Sequence, residues 1–195
     1  MVDLKGFPLI YYSIKASLNS KSHNTWVCSD DEEILKAGKF YGAKSLLRPK
    51  ELAQDNSKSE ESLLFFAEKI TFDILVFIQP TSPLLKSIYI DQGIEMVLHE
   101  EYDSVFSCFE EHWLPRWSKK VEPIGWNVNQ RPMRQDVPSS YVENGAFYIT
   151  KKNNLLNSKL RYSGKIGIVK MPFYESFQVD SYEDLNLISR IIDNN

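Results

Sequence analysis

Histidine, cysteine and long apolar runs are scarce in this sequence, and each scarcity removes a class of function. The three histidines, His23, His99 and His112, stand far apart without ligand spacing, which argues against zinc and against a histidine-activated nucleophile. The two cysteines, Cys28 and Cys108, lie within apolar runs that read as buried strands; they fit a reduced, cytoplasmic protein better than a disulfide framework. No apolar stretch approaches the roughly 20 residues that span a bilayer. The start, Met1-Val2-Asp3-Leu4-Lys5, lacks the apolar core of a signal peptide, so no membrane partner is expected. With a net charge of −3 and no Lys/Arg run, nucleic acid is not an expected partner either.

What is present is ordinary for a globular enzyme-sized chain. With 195 residues, 43% hydrophobic and 25% charged, the sequence suits a single domain over 1–195 with a sizeable core. Leu9, Ile10, Ile14 and Leu18 fall at helical spacing, and Trp26-Val27-Cys28 reads as a short buried strand. Ser29-Asp30-Asp31-Glu32 has the Ser-x-x-Glu form of a capping box opening a helix to about Tyr41, ended by Gly42. Ala43 to Leu47 is a second strand, and a third helix carries Leu63, Leu64, Ala67 and Ile70. Ile74-Leu75-Val76-Phe77-Ile78 shows no polar alternation, which predicts a strand covered on both faces. It stops at Gln79-Pro80-Thr81-Ser82-Pro83, where the prolines end ladder pairing.

A fourth helix carries Ile90, Ile94, Val97 and Leu98, and Ser104 to Ser107 is another strand. From about 112 to 142 the periodicity fails among Trp, Pro, Arg and Asn, marking an excursion from the sheet. Strands return at Tyr141 to Thr150 and Ile166 to Met171, and Leu185, Ile188, Ile191 and Ile192 mark a closing helix. Strands alternating with helices predict an α/β fold with right-handed crossovers and a mainly parallel sheet.

Four separated segments carry a resemblance. They are Val27 to Ile34, Leu47-Arg48-Pro49-Lys50-Glu51-Leu52-Ala53-Gln54-Asp55, Gln79-Pro80-Thr81-Ser82-Pro83-Leu84, and Arg134-Gln135-Asp136 leading to Glu143-Asn144-Gly145-Ala146-Phe147-Tyr148. In this order and spacing the set resembles the acylneuraminate cytidylyltransferase family, over nearly the whole chain. The resemblance implies a Rossmann-like nucleotidyltransferase fold with a small dimerisation excursion at about 112–142, and hence a homodimer. It implies transfer of CMP from CTP to a nonulosonic (sialic-type) sugar acid, with release of pyrophosphate and with Mg²⁺ as cofactor.

The resemblance also distributes roles. Arg48, Ser57 and Ser59 match positions around the cytosine; read without their neighbours, Arg48 is a surface side chain and Ser59 a helix cap. Gln79, Thr81, Ser82, Arg134, Asn144 and Tyr148 match the sugar-acid cradle, with Arg134 suited to clamp a carboxylate through two parallel hydrogen bonds. Read alone, Gln79 to Pro83 is an ordinary strand-ending turn. Relatives carry an Asp-x-Asp metal pair before the last helix. Here the segment is Gln178-Val179-Asp180, so Asp180 matches the second carboxylate and a neutral amide replaces the first. Asp180 with Arg134 are the catalytic candidates, and Asp180 with Gln178 the metal candidates, although Asp180 also reads as a helix N-cap. Trp113, Trp117 and Trp126 suit a subunit interface better than a ligand stack.

One departure stands out. Relatives open with a buried strand and a Gly-rich basic loop that cradles the triphosphate, and this sequence begins after that point. The expectation is open ladder edges beside the place of that strand, slow or absent CMP transfer by the chain alone, and poor solubility. Two other readings remain: a non-catalytic sugar-binding or dimer-partner protein, and a nucleotidyltransferase for a 3-deoxy-octulosonate, against which the Gln79 to Leu84 stretch argues.

Overall fold

The computed structural model describes residues 2–54 and 57–193; Asp55, quoted above in the second motif, lies outside the described residues. A tight hairpin of β1 (Asp3–Leu4) and β2 (Phe7–Pro8) opens the chain, and α1 (Ile10–Leu18) follows directly. Next come β3 (Trp26–Ser29), α2 (Glu32–Phe40) and β4 (Lys44–Leu47), a right-sized unit for parallel pairing, and β3 and β4 do pair in parallel. The box expected at Ser29 moves by two residues. Asp31 is the N-cap, its carboxylate accepting from the backbone N–H groups of Glu33 and Ile34, while Ser29 stays in the strand.

After α3 (Ser59–Lys69) the chain forms β5 (Ile74–Ile78), α4 (Ser87–His99) and β6 (Ser104–Glu111). The excursion contains the small hairpin β7 (Arg116–Trp117) and β8 (Pro123–Ile124) and two single-turn 3-10 helices. Then follow β9 (Ser140–Lys151), α5 (Lys152–Ser158), β10 (Ile166–Lys170) and α6 (Tyr182–Asp193).

The larger sheet has the order β10-β6-β9-β5. β10 is parallel to β6, and β9 is antiparallel to both β5 and β6, so β5, β6 and β10 share one direction and β9 alone opposes them. Helices cover both faces, as an α/β sheet requires. On one face Ile90, Ile94 and Val97 of α4 pack on Val105, Phe147, Ile149 and Val169. On the other, Leu63 and Ala67 of α3 and Leu155 of α5 pack near Leu75 and Phe77.

β5 departs from expectation in one respect. Its five apolar side chains are all only half-buried, because among the described residues its ladder has a partner on one side alone, β9. The β3–β4 pair keeps its own small core of Ile14, Val27, Leu35 and Ala43. α1 spans the two units, since Ile14 joins that core while Ala16 joins the one under α4. No helix among the described residues is long and apolar enough to cross a membrane.

The α4 interface depends on a close approach at Gly93, where a Cβ would stand 2.6 Å from Ile149 Cδ1 and 3.2 Å from the Phe147 ring. Gly93→Ala is expected to lower the unfolding free energy by about 1–3 kcal/mol through overpacking, seen as a lower urea midpoint at unchanged slope. A midpoint equal to that of the unmodified protein would contradict this.

Candidate functional site

The site begins with an irregularity in β9. Phe106 pairs with Tyr148, yet Cys108 pairs with Glu143, so the single β6 residue Ser107 stands opposite the whole stretch from Asn144 to Phe147. The buried Ser107 hydroxyl fills the break, accepting from the Phe147 N–H at 3.0 Å and donating to the Phe147 carbonyl at 3.2 Å. Within this bulge Gly145 has φ +67, and a Cβ there would lie 2.5 Å from Gln178 Nε2 and 2.7 Å from Gln79 Oε1. Only glycine fits both the left-handed backbone and the crowding. Bulges of this kind re-aim side chains beside functional sites.

Four segments meet there. Gln178 Nε2 donates to Gln79 Oε1 and to Ser82 Oγ, both at 3.3 Å, and the Val179 N–H donates to the Thr81 carbonyl at 2.8 Å. Asn144, 6% exposed, gives its amide hydrogens to Ser176 Oγ at 2.9 Å and Met171 Sδ at 3.3 Å, while its Oδ1 accepts from the Ala146 N–H at 3.2 Å. Gln79, Ser82 and Gln178 thus form one hydrogen-bonded polar cluster at the carboxyl end of β5, the edge where open α/β sheets place ligands, with the Thr81 backbone beside it and Asn144 adjoining through the bulge, whose Ala146 carbonyl accepts from the Gln79 N–H at 3.1 Å. Tyr148 sits one layer deeper. Its hydroxyl donates to Glu143, its ring stacks on Phe77 and Tyr162, and burial followed by the Glu143 carboxylate pushes its pKa up.

The nucleotide candidates group separately. Arg48 follows β4; its Nη1 donates to Ser62 Oγ at 2.6 Å, its Nη2 pairs with Asp30 Oδ1 at 3.4 Å, and its buried Nε–H has no partner among the described residues. An unpaired buried donor on a guanidinium is costly unless something completes it. Ser57 closes its own turn, its hydroxyl donating to the Glu51 carbonyl and accepting from the Gln54 N–H. Ser59 is the first residue of α3, which has no side-chain cap.

Asp180 is exposed, and its role as a cap is taken by others. Ser181 and Asp184 form a reciprocal box, with the Asp184 carboxylate accepting from the N–H groups of Asp180 and Ser181 and from the Ser181 hydroxyl. The Asp180 carboxylate itself has no hydrogen-bond or ion-pair partner among the described residues. Among the described residues no three His, Cys, Asp or Glu side chains cluster as a metal site. Arg134 lies exposed in a 3-10 turn of the excursion and shares no hydrogen bond with the cluster. An open groove of about 620 Å³ between α1 and the entry to α4 is lined by Tyr11, Lys15, Asn19, Pro83 and Lys86, and none of the candidates lines it.

Several contributors carry no signal in the sequence. Glu175, 3% exposed, lies in the turn Phe173–Ser176 and accepts from Lys86 Nζ and the Tyr89 hydroxyl, each at 2.6 Å. Arg161 forms a two-toothed pair with Glu60 and stands 5.0 Å over the Tyr148 ring. Both depend on partners about 90 or more positions away, which no local pattern announces. In the sequence Asp30 reads as part of the presumed cap and of the first motif segment, without a role of its own.

A family model described as Cytidylyltransferase matches residues 1–191. N-acylneuraminate cytidylyltransferase B of Danio rerio is 33% identical over 192 residues, covering 94% of this chain and 44% of its own length. N-acylneuraminate cytidylyltransferase A of the same fish is 35% identical over 186 residues, 91% of this chain and 43% of its own. The chain thus spans under half the length of these curated relatives. Among solved structures, a CMP:2-keto-3-deoxy-manno-octonic acid synthetase complexed with CTP superposes with a TM-score of 0.73 at 15% identity, covering 99% of this chain and 90% of that one.

Burial alone pushes the Glu175 carboxyl up, but the hydrogen bonds from Lys86 and Tyr89 outweigh it and hold the group below the usual carboxylate range. A lowered folded pKa means stability fully present above the unfolded value and lost as pH falls through the folded one. The unmodified protein is therefore expected to lose stability from about pH 4 downward more steeply than Glu175→Gln, as read from urea midpoints across that range; parallel curves would contradict it.

Proposed function

The chain belongs to the cytidylyltransferase family, and from that premise we propose that its strand-tip site transfers CMP from CTP to a nonulosonic (sialic-type) sugar acid. In that reaction the anomeric oxygen of the acid forms a bond to the α-phosphorus of CTP as the bond to the bridging oxygen breaks. Pyrophosphate leaves, and the hydroxyl proton passes to solvent. The reading is supported chiefly by one observation: Gln79, Ser82 and Gln178 are hydrogen-bonded together at the carboxyl end of β5, beside the bulge whose Ala146 carbonyl accepts from the Gln79 N–H and whose Asn144 is held by Ser176, two residues before Gln178.

Each group then has work suited to its chemistry. Arg48, whose Nε–H has no partner among the described residues, reads an acceptor of the nucleotide while Asp30 and Ser62 hold its other nitrogens, and Ser57 and Ser59 border the same loop. Gln79, Thr81 and Ser82 offer amide and hydroxyl groups to the polyol and N-acyl substituents, and Asn144 and Tyr148 shape the floor beneath them. Arg134, exposed and without an ion pair among the described residues, is available to the substrate carboxylate in two parallel hydrogen bonds. Mg²⁺, when bound, neutralises charge on the triphosphate; a single carboxylate plus phosphate oxygens and water suits it, and Asp180 fits that part. Gln178 gives its Nε2 hydrogens to Gln79 and Ser82, and its amide oxygen, the atom an amide offers a cation, is the second candidate ligand beside Asp180.

The excursion suits self-association in a homodimer. Trp113 and Trp117 pack edge-on against Trp126, giving a stiff aromatic knot, while Leu114, Trp117, Val121, Ile124, Val128 and Met133 remain exposed around it. Exposed apolar groups in such density mark an interface. Both cysteines are free, which suits the cytoplasm.

Two measurements test these readings. Pyrophosphate release should require CTP and a sialic-type acid together, and Arg48→Met should raise the KM for CTP by about 10- to 100-fold, the loss of one or two charge-assisted hydrogen bonds. Sugar-acid binding by calorimetry with no CTP binding would instead establish a non-catalytic binding protein. Sedimentation should give a dimer that Trp117→Glu converts to a monomer; a wild-type monomer at micromolar concentration removes the interface.

A further inference from the structure

The polar cluster has two walls, and a buried charge joins them from behind. One wall is the segment from Gln79 to Ser82, which leads into α4 through Pro83 to Lys86. The other is Ser176 to Asp180. At the front they are tied by Gln178 to Gln79 and Ser82, and by the Val179 N–H to the Thr81 carbonyl. Behind, Glu175 immediately precedes Ser176, while its two partners, Lys86 and Tyr89, stand at the entrance and first turn of α4. Each carboxylate oxygen takes one short bond at 2.6 Å, so the group spans the two walls and both of its oxygens are engaged.

The turn held this way is the one that holds Asn144. Ser176 Oγ donates to the Pro172 carbonyl at 3.0 Å and accepts from Asn144 Nδ2 at 2.9 Å. A carboxylate in a position only 3% exposed is expensive to desolvate, and an apolar contact between α4 and the turn would supply adhesion at lower cost. What an apolar contact cannot supply is a fixed direction. Two charge-assisted bonds of opposite reach set the distance and the rotation of the turn against α4.

We infer that Glu175 is a positioning residue for the sugar-acid side of the site: through Lys86 and Tyr89 it bolts the Phe173–Ser176 turn to α4, which sets Ser176, Asn144 and Gln178 against Gln79 and Ser82. Glu175 touches no substrate in this arrangement. Its effect passes through Ser176 to Asn144 and through the chain to Gln178 and Val179. The inference rests on the proposed function for its substrate, but the mechanical link it describes is present without any ligand.

The experiment has two arms. In the kinetic arm, Glu175→Ala is expected to lower kcat/KM for the sugar acid by about 10- to 100-fold, the scale of a misplacement near 1 Å, with the KM for CTP changed less than about twofold. Glu175→Gln, which keeps acceptor and volume, should recover most of the loss. Equal effects on both substrates would mark a merely structural role and overturn the inference. In the ligand-free arm, native-state hydrogen exchange at the Val179 N–H is expected to quicken in Glu175→Ala and, less strongly, in Tyr89→Phe, which keeps the ion pair and serves if the alanine variant does not fold. Unchanged exchange at Val179 in the folded variants overturns the bolt. Wild-type protein that neither binds a sialic-type acid nor releases pyrophosphate with it overturns the functional reading alone, and exchange at Val179 then decides the positioning role.

Discussion

The break in register between β6 and β9 is the constraint from which the site follows. β9 must run antiparallel to two neighbours at once, holding Phe147 and Ile149 under α4 on one face and Tyr148 against Phe77 on the other. A continuous ladder would leave no room at its centre for a side chain to turn away. By placing only Ser107 opposite the stretch from Asn144 to Phe147, the sheet loses ladder bonds there, and the Ser107 hydroxyl restores them. Asn144 then bridges its own bulge through the Ala146 N–H and turns its amide outward to the Phe173–Ser176 turn. The base of the polar cluster is therefore a controlled defect in a well-packed strand, and the rigidity of the strand on both sides of it is what keeps the defect in one shape.

Electrostatics divides the site along the same line. The proposed sugar side is built from neutral amides and hydroxyls, and its one buried charge among the described residues, Glu175, is neutralised by partners behind the wall. The proposed nucleotide side is built around Arg48, held by Asp30 across the ends of β3 and β4. The polyol and N-acyl groups of the proposed sugar acid need directional, uncharged contacts, its single carboxylate being left to Arg134 outside the cluster, whereas a nucleotide brings several charges that must be met. Arg161 and Glu60 tie α3, which closes the Arg48 loop, to the Tyr148 ring of the sugar side. That pair is one packed contact through which the two halves touch.

Much of this was legible, and the parts that were not share a cause. β5 was read at its observed bounds because an uninterrupted apolar run ended by proline has few alternatives. α4 and α6 followed from their spacing, and the excursion from the failure of spacing. The motif Glu143-Asn144-Gly145 was visible as letters, but the bulge it builds depends on Ser107, far away in sequence. The cap at Ser29 failed because two acceptable caps lie two residues apart, and parallel pairing with Leu47 of β4 holds Ser29 in the strand. β6 proved longer than its apolar core suggested, since Phe109, Glu110 and Glu111 continue the ladder with the start of β9 at a partly exposed edge. Glu175 and Arg161 were invisible for the plainest reason: a charged residue looks exposed until its distant partners are known.

The departure at Gln178 acquires a local explanation from these contacts. An amide nitrogen there donates to Gln79 Oε1 and Ser82 Oγ at once, and a carboxylate in its place has no hydrogen to give either of them. Position 178 has thus been assigned to holding the walls together, and the crowding at Gly145 shows how little room remains for any other orientation. The consequence falls on Asp180. Because Ser181 and Asp184 cap α6 between themselves, Asp180 is released from the capping duty its sequence context suggests and stands next to the wall as an exposed carboxylate without a partner among the described residues. A divalent cation at this edge would then take its charge balance mainly from the substrate's own phosphates, with one protein carboxylate fixing its place. A site of that kind would have little affinity for the ion alone, so a cation there would enter together with its phosphate ligands.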